Sequence, residues 1–223
     1  MTPFAGILAE AETRAGGAAA LAGRMPDVSP PEALKRIADD RYLSLMSRRV
    51  FRAGIRHSVV DDRWPAFEEV FRGFDPGAVR AMSDEDLEAL TKEERIIRHW
   101  GKIRATRDNA AAILDVAREF GGFGDYIADW PAADIVGLWA DLARRFSQMG
   151  GNSAPRFLRM AGKDSFILTP DVVRALNAAG ACEGTPSGKR ARAAVQQAFN
   201  AWAAESGRPL AHISVVLAIA GSA

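Results

Sequence analysis

Between Met149 and Asp171 the chain reads MGGNSAPRFLRMAGKDSFILTPD, a run whose residue types and spacing could hold a phosphate. Gly150 and Gly151 permit a tight turn and the close approach of another backbone. Asn152 or Ser153 then opens a helix as its N-cap, with the first amides directed outward. Unpaired N–H groups at the positive end of a helix are a natural seat for an anion. Arg144, Arg145, Arg156, Arg159 and Lys163 flank this point in sequence. Such a helix-hairpin-helix module would grip a DNA backbone without reading bases. An ordinary αα-hairpin with a glycine turn carries the same local pattern.

The elements that position this seat are helices. Ile135, Leu138, Trp139, Leu142 and Phe146 recur at helical spacing before the glycines, and Phe157, Leu158 and Ala161 supply an inward face after them. Phe67, Val70, Phe71 and Phe74 form another apolar stripe, ended by Asp75-Pro76. Ser83 with Asp86 spells a capping box for a helix through Leu90. Ile113, Val116, Ala117 and Phe120 make a buried face before the Gly121-Gly122 break. Ser29 before Pro30 and Pro31 marks a helix start, with short helices over 32–37 and 42–51. Val195, Phe199 and Trp202 belong to a late helix closed near Gly207, and 213–220 is an apolar core helix. Residues 1–25 form either a packed helix or a loose arm. No strand pairing or repeat is visible, so the expected class is all-α, a single domain over 1–223 with the hairpin module at 134–171.

Composition narrows the function classes. The 223 residues are 48% hydrophobic and 26% charged, values of a soluble globular chain. Cys182 is the only cysteine, which excludes an intramolecular disulfide and a cysteine-rich zinc site. No apolar run reaches membrane-spanning length and the start lacks a signal-peptide layout, so a cytoplasmic protein is expected. The net charge of +1 is unevenly distributed. From Leu142 to Arg208 there are ten Lys/Arg against four Asp/Glu, while the rest of the chain is net acidic. A basic half containing the phosphate seat suits nucleic acid.

Several further motifs together resemble a known family. Ala53-Gly54-Ile55, Phe74-Asp75-Pro76, Ala81-Met82, Ile96-Ile97-Arg98-His99, Gly101-Lys102-Ile103 and Asn109-Ala110 are similar to the 3-methyladenine DNA glycosylase I family, over about residues 40–175. The resemblance implies a helix-hairpin-helix DNA glycosylase fold and hydrolysis of the N-glycosidic bond of alkylated purines in duplex DNA. Such chemistry requires the nucleotide to be turned out of the helix into a pocket. It also requires an apolar wedge in the vacated stack. By its place in the pattern Ile55 is that wedge; a core isoleucine is the structural alternative.

The departures from the family pattern fall in the implied base pocket. Where the family places a glutamate and, eight residues on, a tryptophan, this chain has Arg49 and His57. An arginine would repel a cationic base, whereas a neutral histidine still stacks and accepts a hydrogen bond. The family's zinc ligands are missing, so no metal and no cofactor are expected. Trp100 could stack on an extruded base, although tryptophans usually belong to the core or a lobe interface, and Tyr42 and Phe51 could line the pocket wall. His99, Arg98 and Lys102 belong to the same constellation, the last two as phosphate contacts or partners of acids.

Asp171 is the candidate catalytic carboxylate. The wider superfamily carries an aspartate shortly after the hairpin, although the register puts Thr169 or Pro170 nearer that position. Alternatively, Thr169 caps a helix, Pro170 is its first residue, and Asp171 complements the dipole. No lysine in the module is placed for a Schiff base, so a monofunctional, monomeric enzyme is expected, with Lys163 on phosphate. A DNA-binding protein or damage sensor that lost catalysis, and a glycosylase for a neutral lesion, are the competing readings.

Overall fold

The computed structural model describes residues 1–222, and every regular element among them is helical. The chain divides into two compact units. One holds Pro30–Trp130 and Trp139–Ala161; the other holds Met1–Ser29, Pro131–Leu138 and the chain from Gly162 onward. The division falls inside the helix Ile135–Arg145.

The first of these units carries the hairpin. Its helix Asp39–Arg52 buries Tyr42, Leu43, Met46, Val50 and Phe51, the face expected at a period of 3.6. The long helix Trp100–Phe120 buries Ile103, Ala110, Ile113 and Val116 and stops at Gly121. Phe120 is not part of that face. It is 41% exposed at the last position, with the Tyr126 ring 5.0 Å away and Arg145 over it. Trp64, Phe67, Phe71 and Phe74 stack in sequence, and Phe51 meets Phe67 at 4.5 Å. Each such ring, fully buried, contributes on the order of 1.5–3 kcal/mol against exposure. A second aromatic group centred on Phe123 joins Tyr42, Phe146 and Phe157, which ties both hairpin helices to the helix Asp39–Arg52.

Local capping follows the sequence closely. Ser83 Oγ accepts from the Asp86 N–H, and the Asp86 carboxylate accepts from the Ser83 N–H, opening the helix Asp84–Leu90. Asp75 does more than end the Phe stripe: its carboxylate accepts from Ala78 N–H and starts Pro76–Arg80.

In the other unit, residues 1–25 are no loose arm. Phe4–Ala15 buries Phe4, Ile7 and Ala11, and Trp202 donates its indole N–H to the Thr2 carbonyl at 3.1 Å. Leu210–Ala220 is the expected apolar core helix. Its first amides, on Leu210 and Ala211, donate to the Asp164 carboxylate at 3.0 and 2.8 Å. Among the described residues no helix is long and apolar enough to cross a membrane.

Candidate functional site

The hairpin has the expected layout. Ile135–Arg145 leads through Phe146 and Met149, both buried, to Gly150 and Gly151, and Ser153–Met160 follows. Gly151 has φ +59, a left-handed backbone that a side chain would strain. Asn152 occupies the N-cap position but makes no side-chain capping bond. The Ser153 N–H donates to the Gly150 carbonyl at 3.1 Å, and Pro155 has no N–H. Fewer first-turn amides are therefore presented than an ordinary helix start offers.

Most of the surrounding cations have partners. Arg144 pairs with Asp141, and Arg145 with Asp141 and Glu119. Arg156 makes no ion pair among the described residues and stands on the helix Ser153–Met160. Lys163 is only 6% exposed and lies in the other unit, so it is not offered to solvent as a phosphate contact requires.

The second part of the site is the turn Ala53–Arg56, between the helices Asp39–Arg52 and His57–Asp61. Gly54, at φ +75, reverses the chain and leaves Ile55 partly exposed at its apex. Two devices fix this turn. Asp61 receives Arg48 and Arg52 at 2.9 and 2.5 Å across it. Burial acts to raise the Asp61 carboxyl, but the hydrogen bonds from Arg52 and Arg48 outweigh it and hold the group below its ordinary value. From the other side the Lys102 ammonium donates to the carbonyls of Phe51 and Ala53, at 3.1 and 2.6 Å. These are the end carbonyls of a helix, which carry partial negative charge. Burial, with Arg49 adding repulsion, pushes the Lys102 pKa down. Lys102 therefore positions the turn, and neither of its expected roles, on phosphate or with an acid, is the one seen.

The same long helix also holds the hairpin. Asn109 donates to the Ser147 carbonyl at 3.1 Å and accepts from the Ser147 N–H at 2.7 Å. Gln148 reaches back to the Gly101 carbonyl at 2.7 Å. Lys102 and Asn109 are seven residues apart, on one helix face. Their signal in the sequence was two polar side chains at helical repeat distance within a face that otherwise buries apolar residues.

The expected base-pocket residues stand on three different helices. Arg49 lies on the helix Asp39–Arg52, which packs against the hairpin's second helix. Its Nε is buried without a hydrogen-bond partner. Burial, then Arg156, then Arg52 push its pKa down. His57 is exposed at the first position of its short helix. Tyr42 is fully buried; its hydroxyl donates to the Leu34 carbonyl at 2.8 Å, so it belongs to the core and presents no wall. Trp100 is 43% exposed and lines a shallow cavity of about 290 Å³ with Asp84, Glu88, Arg104 and Arg107. Its indole is thus turned to the helix Asp84–Leu90, away from the face that carries Lys102. His99 caps the long helix, its Nδ1 accepting from the Lys102 N–H at 3.4 Å.

Asp171 lies in the other unit, second residue of the helix Pro170–Ala178, which Thr169 caps through the Val172 N–H at 3.3 Å. Its carboxylate pairs with Arg174 one turn on and is 42% exposed. No group of three or more His, Cys, Asp and Glu side chains among the described residues is spaced to hold a metal ion.

The all-helical body, with the Ile55 turn and a glycine hairpin hung from one helix, is similar in fold to the solved 3-methyladenine DNA glycosylase I structures. One aligns at a TM-score of 0.50 and 24% identity, over 64% of this chain and 86% of that one. A second, from Staphylococcus aureus and described with 3-methyladenine recognition, aligns at 0.51 and 21%, over 61% and 80%. DNA-3-methyladenine glycosylase 1 of Escherichia coli strain K12 is 37% identical over 75 residues, which are 34% of this chain and 40% of that protein. The matched segment is thus less than half of that curated relative's length. The methyladenine glycosylase family pattern covers residues 35–147, just over half of this chain. The chain belongs to the methyladenine glycosylase family. The matched region includes Arg49, Ile55, His57, Lys102 and Asn109 and stops just before the glycines.

Proposed function

We propose that this chain is a monofunctional DNA glycosylase that hydrolyses the N-glycosidic bond of alkylated purines in duplex DNA. The observation that carries this reading is the common suspension of the Ile55 turn and the Gly150–Ser153 hairpin from one buried helix, through Lys102 and Asn109. A wedge and a backbone grip are useful only at a fixed separation, and a rigid helix supplies one.

In this reading the hairpin takes a phosphodiester through Gly150, Gly151, Asn152 and Ser153, with Arg156 adding positive charge. Ile55 enters the stack as the nucleotide turns out toward Arg49 and His57. Water then attacks C1′, the bond to the base breaks, and an abasic site remains. The chain acts as a monomer and without a cofactor. Asp171, in the other unit, is tested separately as a candidate carboxylate, with the helix-start role as its alternative.

The test is base release from methylated duplex DNA, followed by chromatography, for wild type beside Asp171→Asn and Gly151→Arg. Release by wild type, with weakened DNA binding in Gly151→Arg, is the expected result. Turnover lost in Asp171→Asn with binding kept assigns that carboxylate to the chemistry; unchanged turnover assigns it to the helix start. A folded wild type that binds damaged duplex and releases nothing overturns the enzymatic reading in favour of a damage-binding protein.

A further inference from the structure

Trp100 stands apart from the other tryptophans. Trp64, Trp130 and Trp202 each pack on another ring, and Trp139 is buried. Trp100 is 43% exposed, and among the described residues no ring or cation covers its face and no acceptor takes its indole N–H. It opens the helix Trp100–Phe120, with Arg104 and Arg107 one and two turns on along the same face. The helix Asp84–Leu90 packs against this one and brings Asp84 and Glu88 to the cavity that Trp100 lines.

Of the four charges there, one pair is engaged. Arg107 pairs with Asp84 at 2.7 Å and donates to the Met82 carbonyl at 3.1 Å. Glu88 and Arg104 border the same space without forming an ion pair with each other. The Glu88 carboxylate has no partner among the described residues. The Arg104 guanidinium is 60% exposed and reaches only Asp108, one turn on, at 3.7 Å. A charged acceptor, a charged donor and a bare aromatic face thus meet around one cavity, and none of them satisfies another.

We propose that this cavity is a guanine-binding site, in which the base stacks on the Trp100 indole, donates its N1–H and amino group to Glu88, and accepts at O6 and N7 from Arg104. Guanine carries two donors on its Watson–Crick edge and two acceptors on its Hoogsteen edge, the complements of a carboxylate and a guanidinium. Unstacked bases are held in this manner, by an aromatic face and by hydrogen bonds to both edges. A cavity of about 290 Å³ is at the lower limit for ligand sites and suits one base. The site is separate from the Ile55 turn, because Trp100 and Lys102 lie about 200° apart around the helix. It concerns affinity and does not rest on hydrolysis of a damaged base. A free guanine nucleotide and a guanine unstacked from a nucleic-acid strand share this chemistry.

The full chain is titrated by calorimetry with guanosine and adenosine monophosphates, and with two thymidine single strands that differ only in a central guanine or adenine. Quenching of tryptophan emission is read in parallel, and thermal unfolding of each variant is recorded alongside. Wild type is expected to bind guanine over adenine by about tenfold or more, as nucleotide, in the strand or both, with quenching. Trp100→Ala should weaken guanine binding at least about fivefold and lose the quench. Glu88→Gln keeps the size of the side chain but replaces an acceptor by a donor, and should bring guanine down to the level of adenine. Arg104→Met should do the same. A preference confined to the nucleotide supports the inference with a free ligand; one confined to the strand supports it with an unstacked base. Equal affinities, a preference for adenine, or no saturable binding of either form overturns it. So does a guanine preference that survives in Glu88→Gln or Arg104→Met, or guanine binding untouched in Trp100→Ala, because the base then sits elsewhere.

Discussion

Lys102 and Arg49 are two cations near one another with opposite fates, and the difference sets what their replacement should do. Lys102 satisfies two carbonyls at the end of a helix. Lys102→Met keeps most of the stem but leaves those carbonyls without a donor, which should cost about 1–3 kcal/mol in urea unfolding. Arg49→Met removes an unpaired charge and should be neutral or stabilising in the same assay. Ile55→Ala should leave the unfolding midpoint nearly unchanged, since the side chain is partly exposed at its turn. It should nevertheless abolish the fluorescence rise of a 2-aminopurine placed beside a lesion, if wedging drives eversion. The sequence showed the types of these residues and the family pattern showed their places. It did not show that Lys102 faces carbonyls, because that contact joins positions about fifty residues apart. Tyr42 illustrates the same limit: an aromatic residue at helical spacing reads equally as wall or core until its hydroxyl partner is known.

At the scale of elements, periodicity made the helices legible, and capping chemistry made some of their starts legible. The Ser83–Asp86 box and the hairpin lie where spacing puts them, whereas the helix carrying Phe67 stops at Val70 and Phe74 is buried from a separate 3-10 turn at Arg72–Phe74. What escaped was the tethering between elements. Asn109→Ala frees both backbone groups of Ser147, so amide exchange over 147–151 should accelerate while the long helix stays protected. The first hairpin helix has its own electrostatic clamp, with Asp141 receiving Arg144, Arg145 and the Tyr126 hydroxyl. Burial acts to raise the Asp141 carboxyl, but these bonds prevail and leave it below its ordinary 3.8. Folding thus favours the ionised form. Its stabilisation is complete above the ordinary carboxylate range and disappears as pH falls through the lowered value. Thermal unfolding of wild type and Asp141→Asn should therefore differ at neutral pH, and the difference should shrink progressively as pH falls below the ordinary carboxylate range.

Over the whole molecule, the near-neutral total conceals a basic stretch from Leu142 to Arg208. Part of that excess is internal: Arg144 and Arg145 are paired and Lys163 is buried. Lysine and arginine counts alone therefore overstate the charge offered to a polyanion. Duplex affinity should fall with salt at a slope of about −3 in log–log form, as for roughly three neutralised phosphates, rather than the steeper value a full count implies. A flat salt response would count against duplex DNA as the partner. The joint attachment of the Ile55 turn and the hairpin to one helix has a metric consequence. Seven residues of α-helix rise about 10.5 Å. That is roughly three base steps of a DNA strand. In the proposed reading the helix acts as a ruler, and the spacing of the Ile55 turn and the hairpin is set by the count of residues from 102 to 109. One alanine inserted between them would swing one mark of that ruler about 100° around the axis, and the gauge would no longer fit its track.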